Sequence, residues 1–148
     1  MNAFSAFDIS ATGMNVERMR LDVAAYNLAN AQTTAGPDGA TFTPLRVVAR
    51  PLGAPDFDAL LAGHLGGPTF SPMPLDVQVE RMQTAPRLVY DPGHPDADAR
   101  GFVAYPAVNP VSEMIQLITV TRAYEANVRA LNAAKTMALK ALEIGNDK

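Results

Sequence analysis

The amino-acid sequence predicts a mainly α fold with a small β-rich insert. Long N- and C-terminal helices should pair as a coiled coil around a Pro/Gly-rich middle with short strands. Three observations predict this. All twelve prolines and eight of the ten glycines fall between Gly36 and Pro110, and proline breaks helix interiors. Each flank carries an apolar stripe that recurs every seven residues. The middle holds short runs of strand-forming residues bounded by turn signals. The expected segments are an N-terminal coiled-coil helix over 1–35, the insert over 36–108 and a C-terminal coiled-coil helix over 109–148.

In the first flank the stripe is Phe7, Met14, Leu21 and Leu28, with Ala11, Ala24, Ala25 and Ala31 at neighbouring positions. Asn15, Glu17, Arg18, Arg20 and Asp22 lie mostly off it. Ser5 followed by Asp8 resembles a capping box and predicts the helix start. The second flank opens on Asn109-Pro110, a preferred N-cap followed by a preferred first helical residue. Its stripe is Leu117, Tyr124, Leu131 and Ala138, with Val120, Ala134 and Ala141 as companions and Asn127 as a polar interruption. Met114, Ile118, Val128, Met137 and Leu142 widen the apolar surface, and Gly145 is the expected C-terminal stop.

Within the insert, Leu75 to Glu80 alternates apolar and polar residues, as a half-buried strand does. Phe42 to Val48 is a second candidate, which Pro44 confines to an edge. Arg87 to Tyr90 and Phe102 to Tyr105 are two more, separated by the turn-rich DPGHPDADARG. Asp56 to Leu61 suits one helical turn.

The composition excludes several functions. Net charge is −3 without basic clustering, which argues against a nucleic-acid partner. No run reaches the ~18 apolar residues of a membrane helix, so direct membrane insertion is not expected. The stretch MNAFSAFDIS lacks the basic and apolar regions of a cleaved signal peptide. There is no cysteine. His64 and His94 sit in turn-like contexts without metal-ligand companions. Asp91, Asp96, Asp98 and Gly101 half match a calcium loop, but Arg100 and Ala107 stand where oxygen ligands belong, so these aspartates read as turn stabilisers. No phosphate-binding glycine loop, nucleophile elbow or convincing carboxylate pair is present. No catalytic residue, cofactor, metal site or small-molecule substrate is expected. Glu113 complements the helix dipole, and Glu125 belongs to a solvated or inter-subunit face.

Two heptad stripes at opposite ends of one chain argue that the ends meet. The second stripe is broader than one seam needs, so neighbouring subunits are the natural source of further helices, in a ring or an open helical assembly. The alternative from another class is a self-contained soluble adaptor that binds partner helices. Helix content that is complete and unchanged on concentration would favour the adaptor.

These residues carry a resemblance. Arg20 to Thr34, RLDVAAYNLANAQTT, resembles the amino-terminal motif of the flagellar rod, hook and hook-associated proteins, with Asn27, Leu28, Ala29 and Asn30 as its core. Asn109 to Met137 resembles their carboxy-terminal motif, most specifically at Glu113-Met114 and at Arg122 to Asn127. The stretch YDPGHPDADARGFVAYPAVNPV is similar to the proximal rod members, although another rod or hook-basal body member is the alternative within the family. Tyr26 stands where a small residue is usual, and Ala107 where Asn is usual.

The resemblance implies a non-enzymatic subunit of the axial drive shaft, assembled from copies of itself and other rod proteins. Further implied partners are membrane-ring and hook-basal body components and the flagellar type III export apparatus. It implies a periplasmic rod location, reached without a cleaved signal. It also implies that the seam (Phe7, Met14, Leu21, Leu28, Leu117, Val120, Tyr124, Leu131, Ala138) forms the assembly interface. Asn27, Asn30, Glu113, Arg122, Glu125 and Asn127 would carry the motif's polar contacts.

Overall fold

Proline placement separates helix from insert. A computed structural model describes residues 3–34, 40–51 and 75–146. The first helix, α1, spans Ala3–Ala29 and the last, α2, spans Pro110–Asn146. Among the described residues four strands lie between them: β1 at Leu45–Pro51, β2 at Leu75–Arg81, β3 at Arg87–Tyr90 and β4 at Phe102–Tyr105. The fold is mainly helical with two small strand pairs, β1 with β2 and β3 with β4. The helical turn expected over Asp56 to Leu61, and His64, lie outside the described residues.

Helix boundaries depart from expectation at three points. Ser5 lies two residues inside α1 rather than capping it. Gly145 is also helical, because α2 continues through Asn146. One glycine costs a helix only about 1 kcal/mol, too little to end it by itself. The first helix stops at Ala29 instead of running to 33 or 35, and turns follow in which Ala31 N–H donates to Leu28 O and Thr33 N–H to Asn30 O.

The described residues divide into two compact units. One takes those of 3–17, 49–51, 75–77 and 122–146, and the other those of 18–48 and 78–121. In the first unit, α1 and α2 meet where Gly13 lies against the Asn127 side chain. Ser10, Val16 and Ala134 are buried there.

The second unit buries Val23, Ala24, Asn27 and Ala31 from α1 and its following turn, Val103 and Val108 from the insert, and Val120 from α2. Strands β3 and β4 form an antiparallel hairpin in which Val89 opposes Val103 and Tyr90 opposes Phe102. The Tyr90 and Phe102 rings meet edge to face at 5.3 Å. Gly101 closes the loop at φ +82°, where a side chain would be strained and a Cβ would also meet the Tyr90 ring at 2.9 Å. Strand β1 begins directly after Pro44, whose carbonyl accepts from Met82 N–H, and Arg46 pairs with Glu80 at 3.1 Å. The alternation in β2 does not sort by polarity: Leu75 and Val79 are exposed, while Asp76 and Glu80 are partly covered. Two-stranded pairing gives a strand no second layer against which to hide its apolar face.

Candidate functional site

The amino end of α2 is built by its cap. Asn109 Oδ1 accepts from Val111 N–H at 3.0 Å and Ser112 N–H at 3.4 Å, and the Asn109 carbonyl accepts from Glu113 N–H. Pro110 has no N–H to satisfy. One turn later, Glu113 faces Asn27 of α1 and takes a hydrogen bond from its side-chain amide.

Asn27 is the hub of this junction. It is 3 % exposed. Its Nδ2 donates to the Leu45 carbonyl at 2.8 Å, and its Oδ1 accepts from Leu45 N–H at 2.9 Å. The side chain thus bonds to the first residue of β1 through both groups, as a neighbouring backbone would. Glu113 is less well served. Its Oε2 is fully buried without a hydrogen-bond partner. Burial pushes the carboxyl above the ordinary glutamate value, and the Asn27 bond partly offsets that rise.

Asn30 does a different task. Its Nδ2 donates to the Tyr26 carbonyl at 2.8 Å, the same carbonyl that accepts from Asn30 N–H at 3.2 Å, so this residue closes the end of α1 with two bonds. The following turn is tied to the hairpin loop, because Thr34 Oγ1 donates to Asp96 Oδ2 at 2.6 Å.

The seam residues are found at intermediate burial: Phe7, Met14, Leu21 and Leu28 on α1, and Leu117, Leu131 and Ala138 on α2. Val120 is buried and Tyr124 is exposed. On α2 the covered positions 110, 113, 117, 120, 123, 127, 131, 134 and 138 recur at spacings of three and four, with 128 covered beside them. Arg122 is exposed, and Glu125 pairs with Arg129 at 3.7 Å on the exposed surface. Sequence reasoning missed Gly13 and Leu45. The lone glycine inside a helical stripe was a usable signal for a close approach; no residue pattern pointed to Leu45, whose contact is through its backbone.

A second apolar face on α2 stays open. In the unit containing residues 110–121, Val111, Met114, Ile115 and Ile118 are all more than half exposed. Their spacing places them on one side of the helix, roughly opposite Glu113, Leu117 and Val120. In the other unit, Met137, Leu139, Leu142 and Ile144 are exposed to a similar degree.

The aspartates of the hairpin loop are engaged in local turns. Asp98 Oδ1 accepts from Arg100 and Phe102 N–H, each at 2.8 Å, and Asp91 Oδ1 accepts from Gly93 N–H. The Phe102 bond is the foremost cause holding the Asp98 carboxyl below its usual range. His94 Nδ1 accepts from Asp96 N–H. Among the described residues no cluster suits a metal ion, and no helix is long and apolar enough to cross a membrane.

Comparison with known proteins identifies the family. Residues 99–144 match a family model described as the flagellar basal body rod FlgEFG protein C-terminal region. The chain is 38% identical over 149 residues to the flagellar basal-body rod protein FlgC of Bacillus subtilis, covering 98% of this chain and 99% of that protein. It is 39% identical to FlgC of Escherichia coli O6:H1, with the same coverage. This chain belongs to the FlgC family of flagellar basal-body rod proteins. The FlgC of Borreliella burgdorferi extends the likeness, at 35% identity over 97% of this chain and 98% of that one. FlgC proteins are structural components of the flagellar basal body, not enzymes, and this chain is a structural rod protein of that kind. Near the end of α1, the Tyr26 ring packs edge to face on Phe42, 5.4 Å between centroids.

Proposed function

We propose that this chain is a proximal-rod subunit that self-assembles through its terminal helices into the axial shaft, transmitting torque and surrounding the export channel. The observation that carries this reading is likeness to FlgC proteins along 97–98% of the chain and 98–99% of the relatives. The two helices pair as a coiled coil. The contact of Gly13 with Asn127 in one unit, and of Asn27 with Glu113 in the other, supports that pairing. So does the recurrence of covered positions on α2 at spacings of three and four.

The seam residues and the open faces of α2 carry the assembly contacts. Arg122, Glu125 and Asn127 add polar contacts within or between subunits. The partners are copies of the chain, other rod proteins, membrane-ring and hook-basal body components, and the flagellar type III export apparatus. The subunit works in the periplasmic part of the rod and arrives there without a cleaved signal. The absence of cysteine suits threading through an export channel, since no disulfide must be undone first.

The test is to delete residues 3–29 in the chain's own host and examine isolated basal bodies by electron microscopy. Loss of rod and hook while the truncated chain is still made is the expected result. Normal filaments would sink the proposal.

A further inference from the structure

Glu113 is partly covered, but one of its carboxyl oxygens, Oε2, is buried without a hydrogen-bond partner. Three elements meet at it: α2 supplies the carboxyl, α1 supplies Asn27, and β1 is held by Asn27 through Leu45. Asn27 has two N–H hydrogens. One is committed to the Leu45 carbonyl, so a single donor remains for Glu113. An ionised carboxylate wants more than one, and its Oε2 is sealed from solvent without any. Such a charge costs several-fold more to bury than the neutral acid.

We propose that Glu113 is a proton-operated latch on the junction of α1, β1 and α2, tight when the carboxyl is neutral and loosened when it is ionised. Two influences act on this carboxyl, burial and the Asn27 hydrogen bond; no charged side chain of α1, β1 or another described element adds to them. Burial is the larger, so the folded chain holds its proton to higher pH than the unfolded chain, whose glutamate titrates near 4.5. The sign follows. Where the folded state binds more protons, stability falls as pH rises. The latch is therefore fully engaged below the unfolded value, is released as pH climbs through the raised folded value, and stays released above it.

The experiment uses the full chain and Glu113→Gln, which keeps the shape and cannot ionise. Urea unfolding is followed by circular dichroism from pH 4 to pH 8, and the Glu113 side-chain carboxyl is titrated by carbon NMR in the unmutated chain. The two urea midpoints should coincide at the acid end and separate as pH rises, with the Gln variant the more resistant at pH 7. Asp98 is shared by both proteins, so its titration cancels in the difference. The Glu113 carboxyl should titrate above the ordinary glutamate value. Parallel urea curves across the whole pH range would overturn the latch. So would a carboxyl that titrates at or below the ordinary value, including one that does so because the junction is unfolded in solution.

Discussion

Gly13 of α1 lies so close to Asn127 of α2 that a Cβ at position 13 would stand 2.9 Å from the Asn127 amide nitrogen. The obstacle is the end of a flexible side chain, so it can swing aside. Alanine also suits a helix interior better than glycine by about 0.5–1 kcal/mol. These effects oppose one another, so Gly13→Ala should leave stability within about 1 kcal/mol of the parent. Combined with Asn127→Ala, the obstacle is gone and only the helix gain remains. The double-mutant cycle should therefore show favourable coupling of about 0.5–3 kcal/mol, measured by urea unfolding. Strict additivity would mean that the two residues do not touch in solution.

Asn27→Ala removes both bonds to Leu45, whose backbone is partly buried there. The expected loss is about 2–4 kcal/mol, from an unsatisfied-group cost of about 1–3 kcal/mol for each polar group affected. Hydrogen exchange at the Leu45 amide should speed up markedly. Asn27→Asp keeps the acceptor but loses the donor and sets a second carboxylate beside Glu113. It should be the worse change at pH 7 and should recover in part on acidification.

Asp98 holds the hairpin loop through Arg100 and Phe102 N–H. Its carboxyl is lowered in the folded state, so this contribution is present above the unfolded aspartate value and is lost as pH falls through the folded one. Asp98→Ala should loosen the β3–β4 hairpin, seen as faster amide exchange at Arg100 and Phe102. In the parent the same amides should lose protection at the acid end. Unchanged exchange in the variant would show that the turn needs no carboxylate.

The proposed assembly role of the open face of α2 can be tested apart from folding. Ile115→Lys and Ile118→Glu replace exposed side chains, and surface changes of this kind usually alter stability by no more than about 0.5 kcal/mol. Both variants should melt like the parent yet fail to restore swimming in a strain lacking the chain. Full motility from the pair together would remove this face from the assembly surface.

Much of this was legible in the sequence because local physics decided it. Asn109-Pro110 starts a helix by its own chemistry, and the hairpin strands at 87–90 and 102–105 are bounded by turn residues that can do little else. Ser5 and Gly145 misled because capping and breaking signals are weak beside the cooperativity of a long helix. The Asn27–Leu45 bond spans 18 residues and uses a backbone that any residue could supply, so nothing in the residue types announced it. The buried oxygen of Glu113 was hidden for a related reason: the first turn of a helix normally keeps an acid in solvent, and only packing against α1 encloses it.

The division of the chain into two interleaved units bears on timing. Each unit draws on residues from both halves of the sequence, and the one that contains Gly13 also needs residues from 122 onward. A chain that emerges amino end first, from a ribosome or through a narrow conduit, therefore exposes α1 long before its partners exist. Long-range closure of this kind is slow. One unit is complete only once residue 121 has emerged and the other needs residues beyond it, so a chain delivered amino end first can close neither until most of it has passed.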